Sequence, residues 1–147
     1  MPPPRFSPLP TVKPTHVRTV GRAADGGIRL AILAVVVTGI RQRNPGAVAN
    51  GLVAFAATFL PTAFAYVFDL TLDPRHRLWV SGSVFLHAFG MLGPYDDTWW
   101  WDHLTHVLSA SLVGAAAHLV ARRRGADPIP AVLGATVGLG LFWEGIE

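Results

Sequence analysis

Apolar and polar positions alternate along this chain in long blocks, and five apolar segments stand out. A helix needs roughly 20 mostly apolar residues to cross about 30 Å of hydrocarbon. The first segment, IRLAILAVVVTGI (residues 28–40), is short. It reaches spanning length only by taking in Arg22 and Asp25, which share a helix face with Arg29 at spacings i, i+3 and i+7. These three are expected to pair and snorkel, or else the helix is shallow. The second segment covers residues 47–68, with the turn signal NPG before it and Pro61 as an expected kink. The third is LWVSGSVFLHAFGML (78–92) and the fourth WWWDHLTHVLSASLVGAAAHLV (99–120). The fifth is IPAVLGATVGLGLFWEGIE (129–147), which follows a RRRGADP joint. Small residues are dense in all five, as close helix packing in lipid favours. The pattern predicts an all-α, polytopic transmembrane helix bundle of about five membrane helices.

Composition agrees with this reading. Charged residues make up 14% of the chain and hydrophobic ones 51%, at a mean hydropathy of +0.40; an average soluble domain is about 25% charged. The proline-rich stretch 1–20 is expected to form a disordered or interfacial tail, because proline fixes φ and removes amide donors. It lacks the apolar core of a secretory signal. Residues 21–147 then form a single membrane-embedded domain. With no cysteine, disulfides and thiolate chemistry are excluded.

The net charge of +3 matters less than its placement. Arg5, Lys13, Arg18 and Arg22 precede the first segment, Arg75 and Arg77 follow the second, and Arg122, Arg123 and Arg124 follow the fourth. Five crossings put these groups on one side. The other side receives Arg41 and Arg43, and GPYDDT carries no lysine or arginine. The positive-inside rule therefore predicts a multi-pass protein of the cell membrane with a cytoplasmic N-terminus. Basic residues confined to loops do not make a nucleic-acid surface. The expected partner is the lipid bilayer, and Trp99, Trp100 and Trp101 fit an outer interfacial belt.

Polar residues inside apolar helices carry the functional question. Asp102, Thr105, His106 and Ser109 form a stripe on the outer half of the fourth segment. His103 points elsewhere and reads as interfacial; His118 reads as a polar rim residue. Helix direction brings His87 of the third segment and Glu144 and Glu147 of the fifth to similar depth. Ionisable groups in a membrane are costly, so five at one level favour a shared site. The plain alternatives are that Asp102 caps its helix, that His87 is a satisfied packing residue, and that the glutamates are solvated. No HExxH, glycine-rich phosphate loop or GxSxG elbow is present, and serines 81, 83, 109 and 111 read as packing residues.

The motifs LHAFG, GPYDDTWWWDHLTHVLSA and LFWEGIE resemble the uncharacterised YjdF-type integral membrane family over roughly residues 78–147. Asp-x-x-x-His on one helix with a late glutamate on the next is more distantly similar to VanZ-like proteins. The resemblance maps the family pattern onto His87, Asp102, His106, Glu144 and Glu147 and implies no reaction. The family pattern continues past the second glutamate, whereas this sequence stops at Glu147; either the chain is truncated or a terminal carboxylate stands at the membrane surface. Three functions fit these residues. In the first, an enzyme acts on a lipid or envelope molecule, with His87, Asp102, His106 and Glu144 holding a divalent zinc, manganese or iron ion and Glu147 acting as base. In the second, a transporter or proton relay uses the same groups. In the third, a membrane scaffold uses them only to pair helices.

Overall fold

The structure is a computed structural model and describes residues 14–145. Seven helices follow in order: α1 (Pro14–Arg41), α2 (Pro45–Ala57), α3 (Leu60–Val67), α4 (Pro74–Gly90), α5 (Pro94–Asp97), α6 (Trp101–Arg123) and α7 (Pro128–Glu144). The five apolar segments correspond to α1, to α2 with α3, and to α4, α6 and α7. The first helix begins inside the expected tail. Pro14 needs no amide partner at a first helical position, and no proline follows it until Pro45.

Local sequence explains the boundaries. Asn44 caps α2 by accepting from the Ala47 amide at 2.9 Å. Asp73 caps α4 by accepting from the Arg75 amide at 2.8 Å. Pro61 separates α2 from α3, because its ring opposes the carbonyl four residues back. Helix α6 ends in a Schellman turn: Gly125 has φ 67°, the Ala126 amide donates to Ala121 O at 2.9 Å, and the Gly125 amide donates to Arg122 O at 3.2 Å.

Three stretches are long and apolar enough to cross a membrane: Gly21–Arg41, Pro45–Val67 and Trp101–Arg123. Helices α4 and α7 have 17 residues each, about 25 Å at 1.5 Å per residue, the short end of the spanning range. Large apolar side chains such as Leu30, Val53, Leu133 and Leu141 are exposed, as helices facing lipid require. The chain is a helical membrane bundle.

Helices α1, α2 and α4 pack on one another. Ile32 and Val35 of α1, Ala54 of α2 and Ala88 of α4 form their buried core. Gly51 lets α1 and α2 approach closely, since a Cβ there would lie 2.6 Å from Val36 Cγ2. Helix α6 docks on α4, and α7 docks on α6. Among the described residues, α4 and α7 do not pack closely on each other, so the mutual packing of α4, α6 and α7 that the sequence suggested is limited to α6 with each of the other two. Thr105 is buried on the side of α6 towards α4, whereas Gly114 faces Val132 and Thr136 of α7. Nine residues at 100° each put these two positions on opposite sides of the helix, so α6 separates α4 from α7.

Candidate functional site

The C-terminal end of α4, the N-terminal end of α6 and the short α5 turn between them gather a set of polar groups. His87 of α4 has both ring nitrogens engaged. Its Nε2 lies 2.8 Å from Ser109 Oγ and its Nδ1 lies 2.8 Å from the Tyr95 hydroxyl. The Tyr95 hydroxyl donates to Thr105 Oγ1 at 3.1 Å, and Thr105 donates to the Asp102 carbonyl at 2.9 Å. Each hydroxyl has one proton, so these directions decide the tautomer. With the Tyr95 proton on Thr105, Nδ1–H of a neutral His87 donates to Tyr95 and Nε2 accepts from Ser109. The reverse order, with Nε2–H donating to Ser109 and Tyr95 donating to Nδ1, requires Thr105 to turn its proton from the Asp102 carbonyl to Tyr95. Burial pushes the Tyr95 phenol above its usual range, against the opposing pull of its bond to Thr105, so the hydroxyl stays protonated.

Gly90 makes this arrangement possible. A Cβ there would sit 2.5 Å from both the Trp101 indole nitrogen and Tyr95 Cε2. No larger residue lets the α5 turn and the start of α6 fold against α4. Trp101 Nε1 is buried at this contact without a hydrogen-bond partner.

Asp102 and His106 stand on the neighbouring edge of α6. Nδ1 of His106 is 3.2 Å from Asp102 Oδ1 and 3.0 Å from the Asp102 carbonyl. Both are acceptors, so Nδ1 carries a proton; in the neutral imidazole Nε2 is then the lone-pair nitrogen, with no partner among the described residues. The two side chains are 57% and 58% exposed. Helix α6 has no side-chain cap, so capping does not account for Asp102. Its place in the first turn does suit the helix dipole.

The expected polar stripe is therefore split. Thr105 and Ser109 turn towards α4 and reach Tyr95 and His87; Asp102 and His106 do not turn inward and remain open. The stripe spans about 100° of the helix surface, and α4 covers one edge. Among the described residues, no three metal-ligating side chains come together. The Glu144 side chain and all of Glu147 lie outside what the structure describes. The backbone of α7 does carry position 144 to the level of the site. Gly114 faces residues 132 and 136 in an antiparallel pair, so residue 144 runs beside residue 104. His103 packs edge-on to Trp99 at 6.4 Å between centroids, and His118 is exposed, in keeping with interfacial roles.

A family model for predicted membrane proteins, DUF2238, matches residues 27–147. The chain belongs to this family. The match extends over the first two apolar segments as well, beyond the stretch where motifs alone carried a resemblance. No curated protein and no solved structure matches.

A second polar cluster was anticipated only in part. Arg29 pairs with Asp25 at 2.9 Å, donates to Thr58 Oγ1 at 3.1 Å and lies 4.3 Å over the Phe59 ring. Ser81 donates to Asp25 Oδ1 at 2.5 Å. Thr58 and Ser81 are buried. The i, i+4 spacing of Asp25 and Arg29 foretold the pair. Nothing in the spacing foretold Ser81, whose serine looked like packing. Arg22 is exposed and outside this cluster.

Proposed function

We propose that this protein is a membrane-embedded enzyme acting on a lipid or envelope molecule by acid–base chemistry at the outer half of the bilayer. One observation carries the reading: the Asp102–His106 pair leaves His106 Nε2 accessible and, among the described residues, unpaired. A carboxylate that fixes an imidazole tautomer in this way prepares the opposite nitrogen as a proton acceptor. Asp102 is then a positioning residue and His106 the base. His87, Tyr95 and Ser109 form an adjacent chain through which a proton can move. The basic loops support a cytoplasmic N-terminus in the plasma membrane, with Trp99–Trp101 at the outer interface. The YjdF-type and VanZ-like resemblances rest on the quoted motifs alone.

The same dyad favours a second reading, a divalent metal site. Metal-bound histidines commonly carry a carboxylate on the other nitrogen. His106 Nε2 would be one ligand, with Glu144 at the same level on α7 and Glu147 beyond it as further candidates. His87 would have to give up a hydrogen bond to join them.

Comparison of envelope lipids from cells expressing wild type, D102N, H106A and H103A tests the first reading. Wild type should produce a compositional change that D102N and H106A lose and H103A keeps. An unchanged profile for H106A overturns it. Elemental analysis of purified protein decides the second: about one divalent ion per chain, lost in H106A, supports a metal, and metal-free active protein removes it.

A further inference from the structure

On the opposite end of the bundle, an apolar groove of about 460 Å³ runs along α4 between α3 and α6. Phe64 of α3, Val80 and Val84 of α4, and Leu112, Ala116 and Leu119 of α6 line it. From His76 to Val84 it follows eight residues of α4, about 12 Å. Its lining is almost wholly apolar, which suits a hydrocarbon chain lying along α4.

Its mouth is distinctive. Helix α3 ends, α4 begins and α6 ends at this level, so the groove opens where the basic loops meet the membrane surface. Arg77 on α4 donates to Thr62 Oγ1 across one flank at 2.8 Å. Arg123 on α6 reaches Asp69 in the loop between α3 and α4 at 2.9 Å. Both arginines stand on helices that wall the groove, beside its lining and not in it, and the exposed His76 lines the groove at this end. Arg75, Arg122 and Arg124 add charge nearby; Asp69, Asp73 and Asp127 are the acidic groups. Asp73 is occupied in capping α4, and Asp69 is exposed. Five arginines against three aspartates leave the surface net positive.

We propose that this groove is a binding site for one anionic phospholipid of the surrounding bilayer, with an acyl chain along α4 and the headgroup at the arginine-rich end beside His76, within reach of Arg77 and Arg123. Guanidinium forks match phosphate oxygens in geometry as well as charge. Basic clusters at a membrane surface favour anionic over zwitterionic headgroups. The site is separate from the Asp102–His106 dyad and stands whether or not that dyad is catalytic.

Trp79 lines the groove and reports on it. The full chain is reconstituted in phosphatidylcholine vesicles containing about one-tenth acyl-brominated lipid, either phosphatidylglycerol or phosphatidylcholine. The Trp79 signal is the difference between wild type and W79F. Brominated phosphatidylglycerol should quench Trp79 at least about twofold more strongly than brominated phosphatidylcholine. The R77Q/R123Q double variant should erase the difference. A116F, which fills the groove, should lower quenching by phosphatidylglycerol to the level of bulk lipid. Equal quenching by both lipids in wild type overturns the proposal. So does a preference that survives both R77Q/R123Q and A116F, because the lipid then sits elsewhere. If A116F does not fold, the arginine variant alone decides.

Discussion

The two polar clusters of this protein use similar residues to opposite ends. In the α1–α2–α4 half, Asp25 and Arg29 are largely enclosed, and Thr58, Ser81 and the Phe59 face take up their remaining bonding capacity. Nothing there is left to react. At the N-terminal end of α6, Asp102 and His106 pair over a similar distance but stay more than half exposed, with one ring nitrogen unpartnered among the described residues. A carboxylate paired with a basic side chain in a membrane helix is thus not by itself a functional signal. What separates the two is whether partner helices complete the bonding. Three helices close around Asp25 and Arg29, whereas α6 has α4 on one side and α7 on the other, and the dyad lies between.

Removing Arg29 should break the comparison most severely. R29A leaves the Asp25 carboxylate enclosed without its cation, which should cost about 3 kcal/mol of stability, read by unfolding in mild detergent. A loss no larger than that of an exposed arginine would show that the enclosed cluster is not structural. G90A should come next. The added methyl meets Trp101 and Tyr95, and overpacking of this kind costs about 2 kcal/mol. It should also free Tyr95 from His87, seen as a changed His87 ring signal in nitrogen NMR.

Smaller effects sharpen the contrast. Y95F deletes the hydroxyl shared by His87 and Thr105, with an expected stability loss of about 1 kcal/mol and a changed His87 tautomer balance. An unaltered tautomer balance would mean that Tyr95 does not set it. H106A should cost least, under about 0.5 kcal/mol, because exposed ion pairs contribute little. A large unfolding effect from H106A would make the dyad structural, like Asp25–Arg29, and would undercut its catalytic reading. H106A should instead be felt in the chemistry of the outer site.

The five apolar segments, the proline kink at Pro61 and the turn at Asn44 were legible because they depend on local rules: run length, missing amide donors and capping oxygens. The stripe Asp102–Thr105–His106–Ser109 was legible as a helical face for the same reason. Its division into a covered edge and an open edge was not. That division depends on where α4 touches α6, and periodicity along one helix does not contain the azimuth of its neighbour. Tyr95 lies in the loop sequence GPYDDT, and a loop position by itself does not give a side chain's partners. Its role needed Gly90, whose missing side chain admits the ring against α4.

The amino-acid order by itself determined that this chain is a helical membrane protein. The cost of unpaired backbone in hydrocarbon leaves an apolar chain of this kind few other solutions. It also determined which polar residues enter the helices and at about what depth, since helix direction and rise per residue are constant. Only the tertiary structure decided which of those residues are satisfied and which are available. Pairing in lipid is set by close contact between small residues on different helices, here Gly51 against Val36 and Gly114 against Thr136. Those contacts rotate each helix to one azimuth. By that rotation Ser81 meets Asp25 and Ser109 meets His87, while His106 keeps an open nitrogen.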